Sequence, residues 1–177
     1  MKILITGTPG SGKSTLLEAL FTELQKRGCS SIKIIVNDFI KEKALYDKYD
    51  TRLDTYIIDD RKVRRFLKTH LLSTEAASSS TITLFETHTV SCIPKETIDH
   101  CFVLTARTDS IYDRLEARGY STEKISENVE CEIMMVVQEE AMDRFGVSKV
   151  TILSSNIEED IEDNVEKILE FIQGQRI

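Results

Sequence analysis

A glycine-rich turn near the start of the chain joins an apolar run to an amphipathic segment. The turn follows Ile3-Leu4-Ile5 and reads Gly7-Thr8-Pro9-Gly10-Ser11-Gly12-Lys13-Ser14-Thr15. This is the pattern G-x-x-x-x-G-K-[ST], in which backbone N–H groups converge on phosphate groups at the start of a helix. It restricts this part of the chain to a strand–loop–helix unit and predicts a nucleoside triphosphate as ligand.

Each residue type in this loop suits the binding of a triphosphate. Gly7, Gly10 and Gly12 let the backbone curl so that successive N–H groups point inward as an anion nest. Lys13 is expected to place its charge on the β- and γ-phosphates, and Ser14 to offer its hydroxyl to Mg²⁺. Thr15 is one position further along and is expected to reach the α-phosphate. The predicted triphosphate-binding loop therefore also predicts Mg²⁺ as cofactor.

An ordinary strand, glycine turn and helix that matches the pattern by chance is the alternative. The segment that follows argues against it, because it is amphipathic and ends at Gly28. Its apolar face consists of Leu16, Leu17, Leu20, Phe21 and Leu24. The glycine spacing also excludes the dinucleotide fingerprint G-x-G-x-x-G.

The composition indicates one domain, residues 1–177, with a full hydrophobic core. The formal net charge of −7 argues against direct sequence-specific binding of nucleic acid, and it permits attraction to a basic protein partner. We expect no membrane association and no signal or transit peptide, because no apolar stretch approaches about 20 residues and the first strand begins at once. The four cysteines show no CxxC spacing, which favours free thiols over a zinc site.

Apolar, β-branched runs alternate with helical patterns along the chain. The predicted strands are Ile3–Thr6, Ile32–Val36, Thr81–Glu86, Cys101–Leu104 and Val150–Leu153. The predicted helices are about 14–28, 59–72, 109–118, 122–145 and 158–173, and residues 76–80 are predicted to form a loop. Continuous apolarity is typical of parallel strands buried on both faces. The pattern therefore predicts an α/β fold with a doubly wound five-stranded parallel sheet and ligands at the carboxyl ends of the strands.

The segment from Asp38 to Asp60 departs from this alternation and is rich in Asp and Tyr. One interpretation is a solvated acidic loop. The other is a cover over a second substrate.

Two further places in the chain carry candidate functional residues. Arg114 and Arg118 lie on one helix face; they either match the dipole at a helix end or serve as an adenine face and a phosphate clamp. Glu86 ends the third predicted strand, where an acid beside the P-loop strand would hold Mg²⁺ through its water shell. His88 follows and is either a structural histidine or a group that orients water or a phosphoryl group.

Together these motifs resemble the adenylate kinase isoenzyme 6 family, also described as coilin-interacting nuclear ATPases. The resemblance covers nearly the whole chain. It is carried by the glycine-rich loop, Asp38-Phe39, Tyr46-Asp47-x-Tyr49-Asp50, Ile57-Ile58-Asp59, His88, Arg114-Leu115-x-Ala117-Arg118-Gly119-Tyr120, Asn128, Cys131-Glu132-Ile133-Met134 and Asn164-Val165.

The resemblance implies a nucleoside monophosphate kinase fold with an NMP-binding insert at about 35–58 and a short lid at about 117–127. It implies Mg²⁺-dependent phosphoryl transfer from ATP to AMP, yielding ADP, and ATP hydrolysis. It also implies late maturation of the small ribosomal subunit through a basic small-subunit ribosomal protein, in nucleus and cytoplasm.

The resemblance also assigns roles to residues. Lys13, His88 and Arg118 are the implied catalytic residues, with Arg118 touching the transferring phosphoryl group. Arg114 is expected to pack on adenine, and the backbone around Ser155 and Asn156 to form its edge. The implied AMP-binding residues are Asp38, Lys41, Tyr49 and Ile58.

The chain departs from the family pattern at four places. Glu86 replaces the Asp of the family's Asp-x-His motif. Ser91 occupies the position where the motif has its second acidic residue. Lys41 replaces an Arg of some members and so loses a bidentate phosphate contact. Lys124 stands where long-lid adenylate kinases carry extra arginines. These differences predict modest kinase turnover.

Three functions therefore remain open from the sequence. The first is an adenylate kinase with ATPase activity, and the second is an ATP-gated assembly factor for a ribosomal protein. The third is a P-loop kinase that phosphorylates a small metabolite other than a nucleotide.

Overall fold

The computed structural model describes residues 1–51, 55–73 and 81–175, without the side chains of residues 70–73. The strands are β1 (Lys2–Gly7), β2 (Ser31–Ile35), β3 (Tyr46–Asp50), β4 (Thr55–Ile58), β5 (Ile82–Glu86), β6 (His100–Thr105) and β7 (Val150–Ser154). The helices are α1 (Lys13–Lys26), α2 (Val36–Glu42), α3 (Asp60–Ser73), α4 (Thr108–Ala117), α5 (Thr122–Ile133), α6 (Val136–Phe145) and α7 (Glu159–Gly174). Within these residues, no helix has both the length and the apolarity needed to cross a membrane.

Five parallel strands form the central sheet in the order β2-β5-β1-β6-β7. The central strand β1 carries the glycine-rich loop at its carboxyl end, and Ile5 pairs with Glu86 of β5 on one side and Phe102 of β6 on the other. The prediction of a doubly wound five-stranded parallel sheet is confirmed. It succeeded because strands buried on both faces carry continuous rather than alternating apolarity.

Hydrophobic cores fill both faces of this sheet. On one face α1 and α7 pack together, with Leu17 and Ile168 fully buried among the strand side chains. On the other face α3 and α6 contribute Leu67 and Ala141 to a second cluster. Both faces of the sheet are therefore covered, and the glycine-rich loop lies at the carboxyl end of its central strand.

The prediction of one helix over residues 122–145 is wrong. The helix ends at Ile133, and a new helix starts at Val136 after a turn in which Met135 adopts a left-handed φ of 52°. The turn changes the direction of the chain so that Ala141 packs into the core, while Met134 stays exposed. The run of apolar residues at the turn resembles a continuous helix face, which is why the sequence does not reveal the break.

The segment after β2 is not the solvated loop that one interpretation predicted. Residues 36–42 form α2, and β3 and β4 form an antiparallel hairpin in which Tyr49 pairs with Tyr56. Residue 54 of this acidic segment and the loop predicted at 76–80 lie outside the described residues. The bounds of the NMP-binding insert and of the lid stay predictions.

Candidate nucleotide-binding site

The glycine-rich loop closes tightly against its neighbours. Gly10 and Gly12 have φ values of 89° and 94°, which side-chain-bearing residues rarely adopt. A Cβ on Gly12 would lie 2.7 Å from Ser155 Oγ, and one on Gly10 would lie 3.2 Å from Leu115 Cγ. The left-handed conformation therefore favours glycine at both positions, and a Cβ would in addition force Ser155 Oγ or Leu115 to move.

The ammonium group of Lys13 is buried within this loop. Its Nζ donates a hydrogen bond to Thr8 O at 3.0 Å. Burial lowers the pKa of Lys13 from 10.5 to about 8; the charges of Glu86 and Glu132 act against this, and that of Arg118 adds to it. A triphosphate beside Lys13 would favour the protonated form, since a nearby opposite charge raises the pKa of an amine.

Ser14 and Glu86 provide a pair of oxygen groups next to Lys13. Ser14 Oγ donates to Glu86 Oε1 at 3.0 Å, and both Ser14 and Thr15 are exposed at the mouth of the loop. Within the described residues, the buried Glu86 Oε2 has no hydrogen-bond partner. A hydroxyl beside a carboxylate with a free acceptor suits the oxygen coordination that Mg²⁺ prefers. These two residues therefore fit a Mg²⁺ ion bound by Ser14 directly and by Glu86 through water.

The guanidinium group of Arg114 joins the glycine-rich loop to the segment after β7. It donates to Gly10 O at 3.1 Å, Ser155 O at 2.9 Å and Asn156 O at 3.1 Å. These bonds use the edge of the guanidinium and fix its plane beside the loop. The predicted packing of Arg114 on adenine stays a prediction, and the structure adds a positioning task for it.

The turn around Asn156 is held by a small network. Asn156 Oδ1 accepts from Arg107 N at 2.8 Å, and Asn156 N donates to Asp160 Oδ2 at 2.6 Å. The backbone N–H groups of Asn156 and Ile157 lower the pKa of Asp160. These hydrogen bonds fix the backbone at Asn156, which is predicted to line the edge of the adenine. The preceding residue, Ser155, is linked to the glycine-rich loop through Arg114.

Arg118 caps the end of α4, where its side chain is exposed and its backbone N–H donates to Leu115 O. Its charge reaches Lys13, because it contributes to the lowered pKa of that residue. The structure therefore brings Arg118 to the side of the loop where the phosphates are predicted.

His88 follows the end of β5 and faces the open cleft. Asn37 Nδ2 lies 2.9 Å from His88 Nδ1, and Thr87 Oγ1 donates to Asn37 Oδ1 at 3.5 Å. The Thr87 hydroxyl lies within reach of both Asn37 Oδ1 and Thr89 O, so Asn37 and His88 belong to one polar cluster at the end of β5.

The surroundings of His88 keep its ring neutral. The ring is accessible to water, yet the partial dehydration in the cleft, together with the charges of Lys13, Lys124 and Lys41, lowers the pKa of His88 to about 4. At pH 7 His88 can therefore offer a neutral N–H.

The residues predicted to bind AMP lie on the segment between β2 and α3. Lys41 Nζ lies 6.0 Å from the centre of the Tyr56 ring, and the rings of Tyr49 and Tyr56 are 5.0 Å apart. Asp38 is exposed in the first turn of α2, and Ile58 is half-buried against the core. Tyr56 thus joins two of the four predicted residues.

Sequence reasoning missed three contacts of the site. Asn37 holds His88, Tyr56 lies between Lys41 and Tyr49, and Glu132 accepts a hydrogen bond from Thr8 Oγ1. Asn37 and Tyr56 lie within the NMP-binding insert that the family resemblance implied at about 35–58. Glu132 is 124 residues from Thr8, and no local pattern connects them.

The fold and the loop define a P-loop, nucleotide kinase-like protein. The solved structure of shikimate kinase from Bacteroides thetaiotaomicron matches with a TM-score of 0.55 at 15% identity, covering 98% of both chains. A likeness at this identity shows the shared fold alone. The family model described as AAA domain matches residues 3–135, which include the glycine-rich loop.

Curated relatives define the family more closely. The adenylate kinase isoenzyme 6 homolog of Schizosaccharomyces pombe is 37% identical over 172 residues, covering 96% of this chain and 90% of the relative. The homolog of the same name in Plasmodium falciparum is 34% identical over 171 residues, covering 92% and 86%. The chain belongs to the adenylate kinase isoenzyme 6 family, as the motifs in its sequence predicted.

Proposed function

We propose that this protein is a Mg²⁺-dependent adenylate kinase that converts ATP and AMP into two ADP and also hydrolyses ATP. The observation that carries the proposal is the buried Lys13 ammonium beside the Ser14–Glu86 pair at the end of the central strand. The curated relatives named as adenylate kinase isoenzyme 6 homologs support the choice of reaction.

Phosphoryl transfer depends mainly on positioning and on neutralising charge. On binding ATP, Lys13 leaves Thr8 O for the β- and γ-phosphate oxygens, while Gly10, Gly12 and the start of α1 supply N–H donors. Thr15 contacts the α-phosphate. Ser14 and, through water, Glu86 would hold Mg²⁺, which would supply positive charge to the phosphates.

Two residues from the other side of the loop complete the phosphate site. Arg118 contacts the transferring phosphoryl group, because it lies at the end of α4, where its charge acts on Lys13. Arg114 orients the loop, since its three hydrogen bonds keep Gly10 against the turn at Asn156. The backbone of that turn forms the edge of the adenine site.

The α2 helix and the β3–β4 hairpin provide the AMP side. Lys41 binds the AMP phosphate as a single point charge. Tyr49, 44% exposed, offers an apolar face for the base, with Asp38 and Ile58 as further contacts. A single lysine in place of a bidentate guanidinium supports the expectation of modest kinase turnover.

ATP hydrolysis is the second part of the proposal, and His88 is its candidate residue. A neutral imidazole held at Nδ1 by Asn37 would use Nε2 to orient a water or a phosphoryl oxygen. Replacing His88 with Ala should therefore reduce phosphate release more than AMP phosphorylation. Equal rates of phosphate release in the two proteins would contradict this role.

A second candidate function is an ATP-gated assembly factor for a basic small-subunit ribosomal protein, acting in the nucleus and cytoplasm. It is favoured by the net charge of −7 and by the position of His88. Capture of ribosomal proteins with and without ATP, by wild type and by H88A, tests it. If ATP does not change the amount of ribosomal protein captured by either protein, binding of the partner is not gated by ATP.

The deciding experiment follows phosphate release and ADP formation from Mg-ATP with and without AMP. Adenylate kinase activity predicts that AMP raises ADP formation without raising free phosphate. Lys13→Met is expected to abolish both reactions while the protein stays folded. If phosphate release exceeds phosphoryl transfer and its rate does not change when AMP is added, the assembly factor is favoured. If phosphoryl transfer is observed only to another small acceptor, the protein is a kinase of a different metabolite.

A further inference from the structure

Glu132 bridges two loops of the nucleotide site from the last turn of α5. Its Oε2 accepts a hydrogen bond from Thr8 Oγ1 in the glycine-rich loop, and its Oε1 accepts from Ala106 N at 2.8 Å. Thr8 lies between β1 and α1, and Ala106 follows β6, so one carboxylate holds the ends of two neighbouring strands. Both oxygens are used, which defines the position of the side chain closely.

This bridge extends to the cation of the phosphate site. Thr8 donates its hydroxyl to Glu132 and accepts a hydrogen bond from Lys13 through its carbonyl oxygen. Glu132 therefore acts on the phosphate-binding lysine through Thr8 and has no need to touch the nucleotide.

The local structure around Glu132 is unfavourable in two respects. An acid in the last turn of a helix faces the negative end of the helix dipole. Met135, three residues on, has a φ of 52°, which is uncommon for a residue with a side chain. Local choices that oppose helix stability concentrate at functional positions, and here they lie beside the one carboxylate that contacts the glycine-rich loop.

We propose that Glu132 is a positioning residue that holds the glycine-rich loop ready for phosphate and couples the α5–α6 turn to nucleotide binding. The inference rests on the proposed binding of ATP. By the reciprocity of coupled sites, ATP should in turn steady the α5–α6 turn, residues 131–137.

The first test is the titration of wild type and variants with Mg²⁺ and a fluorescent ATP analogue. Glu132→Ala should raise the dissociation constant about tenfold or more, because it removes two charge-assisted hydrogen bonds. Glu132→Gln should raise it less than about threefold, since the amide keeps an acceptor for Ala106 N and can pair with the Thr8 hydroxyl. Glu130→Ala, an exposed acid in the same helix, is the matched control and should bind like wild type.

The outcomes separate this inference from the proposed function. If wild type binds and E132A binds within twofold of it, the positioning role is wrong while the proposed function stands. If wild type itself does not bind, the proposed function fails, and the role of Glu132 fails with it.

A double-mutant cycle and hydrogen exchange test the route of the coupling. Thr8→Val and Glu132→Ala combined should lose less affinity than the product of the two single losses, because each removes the same hydrogen bond. ATP should slow amide exchange at residues 131–137 in wild type and not in E132A. The proposed coupling would be refuted if the losses of affinity multiply, or if ATP protects the amides of residues 131–137 equally in wild type and E132A. If E132A does not fold, T8V and E132Q are used in its place.

Discussion

Replacing Lys13 with methionine is expected to stabilise the nucleotide-free protein while it removes nucleotide binding. The reason is the burial of the Lys13 ammonium, which is 7% exposed and whose dehydration outweighs the favourable charges of Glu86 and Glu132. Methionine keeps most of the aliphatic length and carries no charge. Phosphate-binding residues can be costly in the free protein, because they are arranged for the ligand.

The magnitude follows from the pKa of Lys13, which burial lowers from 10.5 to about 8. At 1.36 kcal/mol for each pKa unit, the charged form costs the folded state about 3 kcal/mol at neutral pH. Losing the hydrogen bond to Thr8 O removes about 1 kcal/mol of this gain. The net increase in the free energy of unfolding is about 2 kcal/mol, or about 4–8 °C in Tm for a chain of this size.

The pH dependence checks the same reasoning. The folded-state pKa lies below the unfolded value, so between pH 8 and 10.5 the unfolded state binds more protons and wild-type stability rises with pH. The advantage of K13M should therefore be full below pH 8 and shrink towards zero near pH 10.5.

The assay is thermal unfolding of wild type and K13M from pH 7 to 10, with and without Mg-ATP. Lys26→Met is the control, because the Lys26 side chain is 68% exposed and its replacement should change stability by about 0.5 kcal/mol or less. ATP should raise the Tm of wild type and of K26M and leave K13M unchanged. A K13M protein that melts several degrees below wild type at pH 7 would refute the claim that the buried charge is costly.

Three further changes test the surroundings of the loop by urea unfolding and ATP titration. Gly12→Ala should lose about 2 kcal/mol of stability and most ATP affinity, because its Cβ would lie 2.7 Å from Ser155 Oγ and residue 12 has a left-handed conformation. A variant with wild-type stability and ATP affinity would show that the loop adapts. Arg114→Lys should weaken ATP binding about tenfold, since an ammonium cannot keep all three hydrogen bonds to carbonyl oxygens. An unchanged ATP affinity would show that Arg114 does not position Gly10. Met135→Gly should raise the free energy of unfolding by about 1 kcal/mol by relieving the left-handed φ, and a lower urea midpoint would contradict that strain.

Features that depend on a few neighbouring residues could be read from the sequence. The glycine-rich loop is one, because the spacing of Gly10, Gly12, Lys13 and Ser14 is itself the chemical requirement for binding phosphates. The five parallel strands are another, because a strand buried on both faces must be apolar throughout. The family was also recognisable, since its motifs extend along nearly the whole chain.

Features that depend on contacts between distant residues were decided by the tertiary structure. The break between α5 and α6 is invisible in an apolar run, because helix periodicity does not record a change of direction. The bonds of Arg114 to Ser155 and of Glu132 to Thr8 span 41 and 124 residues, and only the order of the strands brings these pairs together. The sequence by itself determined the ligand-binding loop and the sheet, whereas the packing of the elements decided which side chains hold that loop in place.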